Sequence, residues 1–241
     1  MASPVEQFTV KPIVPLELGG FDISFTNSAL WMVIAVVVST GFLTFAMRRK
    51  ALVPTPIQYV AETLYMIVAN MIRDNVGSEG RKYFPFIFSI FIFVLFGNLL
   101  GMIPGSFTFT SHIIVTFAMA AVIFLGVTVI GLVRHKGHFF TLFFPHGAPL
   151  FTAPILIPIE LVSYLSRPIS LSVRLFANMT VGHVILKVIA GFVISLGIAG
   201  GFVPLAGLVA ITALEFMIAV IQAYVFTILT CIYLHDALHL H

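Results

Sequence analysis

Residues 154–196 read PILIPIELVSYLSRPISLSVRLFANMTVGHVILKVIAGFVISL, and residues 202–236 read FVPLAGLVAITALEFMIAVIQAYVFTILTCIYLHD. Both runs are overwhelmingly apolar, yet they carry Glu160, Arg167, Arg174, His183, Lys187 and Glu215. Both are also too long for an ordinary span. A hydrocarbon layer about 30 Å thick is crossed by about 20 helical residues, whereas an unbroken helix over the first run measures roughly 60 Å and over the second roughly 50 Å. An arm of that length must tilt steeply, bend or protrude, and an apolar arm does not protrude far into water. The expectation is a hairpin of two long, strongly tilted helices over 151–241, with its turn at Gly200, Gly201 and Pro204. The alternative is that Pro158, Pro168 or Gly182 cuts the first arm into ordinary pieces.

On a helix, Glu160, Ser163, Arg167, Ser170, Arg174 and Asn178 follow one another at steps of three or four and form one polar stripe about 27 Å long. A lipid-facing helix has no use for such a stripe. His183 comes nine residues after Arg174, on the opposite side of the helix. On the second arm Glu215, Gln222 and Tyr233 are seven and eleven apart and again share a face. Folding the chain at Gly200 brings His183 and Glu215 to similar depth, with Arg174 and Gln222 deeper. A buried arginine costs ~3 kcal/mol or more and cannot escape by losing its proton. Arg167 and Lys187 can snorkel toward water. Arg174, flanked by Leu171, Val173, Leu175 and Phe176, needs a function or a partner. A carboxylate and an imidazole at matched depth, as in Glu215 and His183, are a minimal pair for passing protons near neutral pH.

The rest of the chain agrees with a membrane setting. Of 241 residues, 60% are hydrophobic and 9% charged, against roughly 45–50% and about 25% in soluble domains. That leaves too little charge to clothe a water-facing surface, and a soluble monomer is excluded. The net charge of +3 comes from small clusters and gives no basic face for nucleic acid. The single cysteine, Cys231, excludes an internal disulfide and a Cys-rich metal site. Residues 29–50, 83–103 and 113–134 read as three ordinary transmembrane helices. The first is a span and not a cleaved leader, because Arg48, Arg49 and Lys50 follow its apolar run. Those residues, together with Arg81, Lys82, Arg134 and Lys136, mark the cytoplasmic side by the positive-inside rule. The connection from Pro104 to His112 carries no Lys, Arg, Asp or Glu, and residues 1–28, with Glu6, Glu17 and Asp22, form an external segment. Residues 54–77 place Ile57, Val60, Leu64, Ile67 and Met71 on one helical face and Gln58, Glu62, Arg73 and Asp74 on the other, as in an amphipathic helix on the cytoplasmic surface. Residues 135–150 are a cytoplasmic loop. The fold class expected is an all-α integral membrane protein.

Two segments carry a resemblance: PISLSVRLFANM at 168–179 and LEFMIAVIQAYVF at 214–226, supported by GNLLGMIP at 97–104. The chain resembles subunit a of the F-type ATP synthases, the stationary proton-channel family beside the rotating c-ring, over almost its whole length. The resemblance implies that Arg174 faces the ring carboxylate and that Asn178 and Gln222 flank it. It implies further that His183 and Glu215 are the acid and imidazole of the outer half-channel, in exchanged order relative to other members. Glu160, Ser170 and Tyr233 fall where the family has polar positions near the inner half-channel. The compact length and inward positive clusters suit a bacterial inner membrane, with a mitochondrial inner membrane as the alternative, and the positive-inside rule gives an external N-terminus and a cytoplasmic C-terminus. The implied partners are the c-ring, peripheral-stalk b-type subunits, protons and the lipid bilayer. No cofactor, metal or catalytic residue is implied, since the subunit makes no ATP itself.

Two other classes also bury ionisable residues in a membrane. A secondary proton-coupled transporter usually has paired structural repeats, and no internal duplication is visible here. A membrane-bound metal or haem enzyme would rest on His135, His138 and His146, or on His235, His239 and His241. No matching acid and histidine set accompanies either cluster.

Overall fold

Three of the apolar runs fold as single helices: α1 over Asn27–Ala46, α3 over Phe84–Gly101 and α4 over Ile113–His135, with α2 over Pro56–Asn75 between the first two. The computed structural model describes residues 8–15, 17, 18, 21, 22, 24–48, 53–103, 105–136, 139 and 150–239. Expectations for Glu6, Arg49, Lys50, His138, His146, His241 and most of the loop 135–150 fall outside the described residues. Helix starts follow local chemistry. Thr26 accepts from the Ala29 amide ahead of α1, and Thr55 accepts from the Gln58 amide ahead of α2, where Pro56 occupies the first turn.

The long arms are continuous. Helix α5 runs over Ala153–Ser195, 43 residues, and α7 over Phe202–Leu238, 37 residues, with the single turn α6, Gly197–Gly200, between them. At about 64 Å and 56 Å both are roughly twice the hydrocarbon thickness. Pro158 and Pro168 lie inside α5 without ending it. Near Pro168 the Ser166 hydroxyl donates to the Ser163 carbonyl and the Ser172 hydroxyl to that of Ile169, so both hydroxyls are satisfied within the helix. Among the described residues five helices are long and apolar enough to cross a membrane, and the protein is an all-α membrane protein.

The turn differs from the expectation at Gly200. The backbone reverses through Gly197, at φ +63°, a conformation that an L side chain resists. Gly201 serves instead for close approach: a Cβ there would sit 2.6 Å from the Gly197 carbonyl oxygen and 2.8 Å from that of Val193. Pro204 lies in the first turn of α7.

One core unites α2, α3, α4, α5 and α7, centred on Val68, Ile87, Phe91, Ile123, Leu175 and Phe226. On α7, Ala219 and Ala223 are fully buried and let α3 come close, so that the Asn98 side-chain amide donates to the Ala219 carbonyl at 3.2 Å. Helix α2 turns Ala61, Val68, Met71 and Ile72 to this core. The apolar stripe read from the sequence is thereby split, since Ile57 and Val60 remain 44% and 48% exposed.

At one end of the bundle Arg134 pairs with Glu79 at 2.5 Å, and the His135 ring meets the Leu238 carbonyl at 3.2 Å. At the other end the connection between α3 and α4 turns into the bundle, with Phe107, Thr108, Phe109, Thr110 and Ser111 all buried. Gly97 and Gly101 make the room: a Cβ at Gly97 would stand 2.5 Å from the Phe109 ring, and one at Gly101 2.6 Å from the Thr108 methyl. The segment before α1 adds two short antiparallel ladders, β1 Pro12–Val14 with β4 Phe25–Thr26 and β2 Glu17–Leu18 with β3 Phe21–Asp22. Asn27 ties it to α1, accepting from the Lys11 amide and donating to the Thr9 carbonyl, both at 3.1 Å.

Candidate functional site

The polar residues of the long arms separate into an inner set and an outward one. Leu171, Leu175 and Met179, four apart on α5, are buried in the core, which turns Ser170, Arg174 and Asn178 outward. On α7 the reverse holds: Glu215 and Gln222 are 8% and 3% exposed, while Leu214, Met217, Ile221 and Tyr224 form the outer face. Asn178 and Gln222 meet across the hairpin, where the Asn178 side-chain amide donates to Gln222 Oε1 at 2.8 Å. One turn before Asn178, Arg174 has no hydrogen-bond or ion-pair partner among the described residues. Beside it on the outward face lie Ser170 and Asn178, one turn to either side, and the exposed apolar side chains Val173, Ile169 and Val181.

Toward the end where the α3–α4 connection lies, Glu215 packs on Gly182, and a Cβ on Gly182 would run into the carboxylate. Gly182, a possible break in the sequence reading, is instead what admits Glu215. This sets Glu215 level with His183, yet no hydrogen bond or ion pair joins the two. His183 Nε2 lies 3.1 Å from Thr108 Oγ1. One turn earlier the Thr180 hydroxyl donates to the Ser111 carbonyl at 3.2 Å. The α3–α4 connection therefore partners His183, a contact no local sequence signal announces.

Buried polar atoms without a protein partner trace the site. Among the described residues they include Glu215 Oε1, Gln222 Nε2, Asn98 Oδ1, Thr110 Oγ1, Ser111 Oγ and His112 Nε2, besides Ser28 Oγ at the start of α1. The buried hydroxyls of Thr227 and Thr230, by contrast, are satisfied within α7, on the Ala223 and Phe226 carbonyls. A buried polar atom left without a partner costs about 1–3 kcal/mol, so such atoms are not kept for packing alone. The sequence reading missed Thr108, Thr110, Ser111 and Asn98. Asn98 had a signal, a lone amide in the apolar run 83–103. His112 stacks on Phe107 at 5.0 Å, and burial holds its imidazole below the ordinary 6.5.

At the opposite end Arg167 pairs with Asp236 at 3.0 Å and lies over the rings of Tyr164, at 5.4 Å, and Tyr233, at 5.2 Å. Arg167 is thus neutralised by a partner and is not a free snorkelling side chain. Tyr233 joins this cluster, Glu160 is half-buried and Ser170 is exposed. Tyr164 also shares a 2.7 Å hydrogen bond with Thr128 of α4. A concavity of about 780 Å³ lies elsewhere, between α1, α3 and α4, and its lining has no ionisable side chain.

The class defined is a multi-span helical membrane protein with buried polar atoms between its long arms and the α3–α4 connection, and an arginine without a hydrogen-bond or ion-pair partner among the described residues. Residues 29–235 match the sequence family of the ATP synthase A chain. A relative from Paramagnetospirillum magneticum named ATP synthase subunit a is 65% identical over the full length of both chains. One of the same name from Rhodospirillum rubrum is 63% identical over the full length of both. Another, from Parvibaculum lavamentivorans, is 55% identical over 98% of this chain and 93% of its own. The chain belongs to the ATP synthase A chain family, the non-catalytic, proton-translocating membrane component of the Fo sector. With its spans and bacterial relatives it is a multi-pass protein of a bacterial inner membrane.

Proposed function

We propose that this chain carries protons between two offset aqueous half-channels, separated by Arg174, so that a proton must ride a neighbouring c-ring to complete its crossing. The observation that carries the reading is the row of unpartnered buried polar atoms leading from Thr110, Ser111 and His112 to Glu215 and Gln222, with Arg174 unpaired beyond it on the hairpin's outer face. The external half-channel enters at the α3–α4 connection and passes His183 and Glu215. The internal one opens at the other end, near Glu160, Ser170 and Tyr233.

Each charge crossing the membrane gains about 2.3 kcal/mol per 100 mV, and a direct connection would dissipate it without work. Arg174 prevents this through charge. It attracts a deprotonated ring carboxylate, favours proton release on the exit side and repels a hydronium ion trying to pass straight through. Asn178 and Gln222 hold one another at 2.8 Å and fix the helix faces beside it. The outer apolar face of α7 suits contact with a ring of apolar helices, and b-type stalk subunits are the remaining expected partners. In this topology the N-terminus is external and the C-terminus cytoplasmic.

The test is Arg174→Lys. Lysine can give up its proton when buried and lacks the planar donor fork, so the complex should assemble normally and ATP synthesis should be abolished. Normal synthesis by the variant would refute the role.

A further inference from the structure

We propose that Thr108 is a positioning residue that locks His183 in the tautomer protonated at Nε2, leaving Nδ1 as the atom that takes up the incoming proton. The inference rests on the half-channel reading above and deepens it. Thr108 Oγ1 has two neighbours: the Gly101 carbonyl oxygen at 3.0 Å and His183 Nε2 at 3.1 Å. A carbonyl oxygen only accepts, and a hydroxyl has one proton. If that proton turned toward His183, two oxygen acceptors would face one another at 3.0 Å in a buried site. If it goes to Gly101, Thr108 Oγ1 has a lone pair for His183, and the bond forms only when Nε2 carries hydrogen. The second arrangement satisfies all three atoms.

Gly101 has capacity for it. Its carbonyl lies in the last turn of α3 without a helical donor, and its two lone pairs take the Ser106 hydroxyl and that of Thr108, each at 3.0 Å. The position of Thr108 is fixed by packing as well, since its methyl fills the space left by the missing side chain of Gly101. The Nδ1 atom of His183 has no hydrogen-bond partner among the described residues. A proton arriving there makes the imidazolium, and its departure from the same nitrogen restores the starting tautomer. Nε2–H stays on Thr108 throughout. The charged or ionisable groups near the ring are Lys187, one turn on along α5, and Glu215, on α7 against Gly182.

The test uses the intact complex in liposomes with ¹⁵N-histidine, the His183 signals being assigned by difference against His183→Gln. Thr108→Val keeps the methyl and deletes the hydroxyl, and Thr108→Ser keeps the hydroxyl. We expect neutral His183 to be the Nε2–H form in the parent and in Thr108→Ser, and a mixture of tautomers in Thr108→Val. Proton-driven ATP synthesis should fall about 10-fold in Thr108→Val, the scale on which a partner that orients a working histidine acts, and recover in Thr108→Ser. An Nδ1–H tautomer in the parent, or an unmoved tautomer in Thr108→Val, overturns the role of Thr108 and leaves the half-channel reading standing. A moved tautomer with undiminished synthesis overturns the proton-accepting role of Nδ1 and counts against a half-channel through His183.

Discussion

Glu215 buries one carboxylate oxygen with no donor beside it, and Gln222, two turns deeper, buries an amide nitrogen with no acceptor. Glu215 would not be retained for stability alone, since an apolar side chain there avoids the desolvation cost, whereas Gln222 also accepts from Asn178. In the proposed mechanism both face water in the external half-channel. Replacing Glu215 by Gln should therefore slow proton delivery from outside, and unchanged flux across pH 6 to 8 would contradict a relay through it. Exchanging His183 and Glu215 retains one acid and one imidazole at the same level. It should be tolerated better than the loss of either, measured as ATP synthesis in the three variants. At the outer end, burial lowers the His112 pKa. The unfolded chain then gains a proton at higher pH than the folded one, so the stability this ring confers is full above about 6.5 and is lost as pH falls below it. The protection of amides 105–112 against hydrogen exchange, taken relative to the intrinsic rate at each pH, should fall between pH 7 and 5, and His112→Phe should remove that dependence. At this scale the sequence was legible where helical periodicity operates. Arg174, Asn178, Glu215 and Gln222 all follow from spacing. Thr108 does not, because its contact with His183 spans 75 residues and depends on a connection turning inward.

The elements owe their arrangement to glycines and alanines where backbones or side chains close up. Gly182 is the sharpest case, because any side chain there displaces the Glu215 carboxylate. Gly182→Ala should leave the helix intact and impair proton delivery as Glu215→Gln does, read as synthesis rate against thermal stability. Normal synthesis would show that the carboxylate position is not critical. Gly197→Ala puts a side chain at φ +63° and should cost about 1–2 kcal/mol, seen as a lowered unfolding midpoint. The same change at Gly207, where a Cβ would meet nothing within 4 Å, should cost little. Three glycines fall within five residues at the bend, and spacing cannot say which takes the left-handed conformation. The structure assigns it to Gly197 and keeps Gly201 for the close carbonyls. The length of the arms, by contrast, was readable from composition, and the two interior prolines of α5, Pro158 and Pro168, proved compatible with an unbroken membrane helix.

For the whole molecule, the distal part of the hairpin has little cover: Ile185, Phe192, Ile194, Phe202, Val203 and Val209 are all exposed. It extends about 18 Å along α5 beyond His183. An apolar tip of that size belongs in hydrocarbon or against another apolar chain, so the arms must lie over and present a long oblique face. That face carries Arg174, and the pairs Asn178–Gln222 and Arg167–Asp236 hold the arms in register on either side of it. With Arg167 already neutralised by Asp236, Arg174 is the cation left on this part of the face. The central claim is that its charge divides two water-filled routes. The most direct measurement is passive proton conductance together with ATP synthesis in vesicles containing the intact complex with Arg174→Ala. The account expects synthesis to vanish while the vesicles become leakier to protons than with the parent complex. Sustained synthesis with unchanged conductance would contradict it.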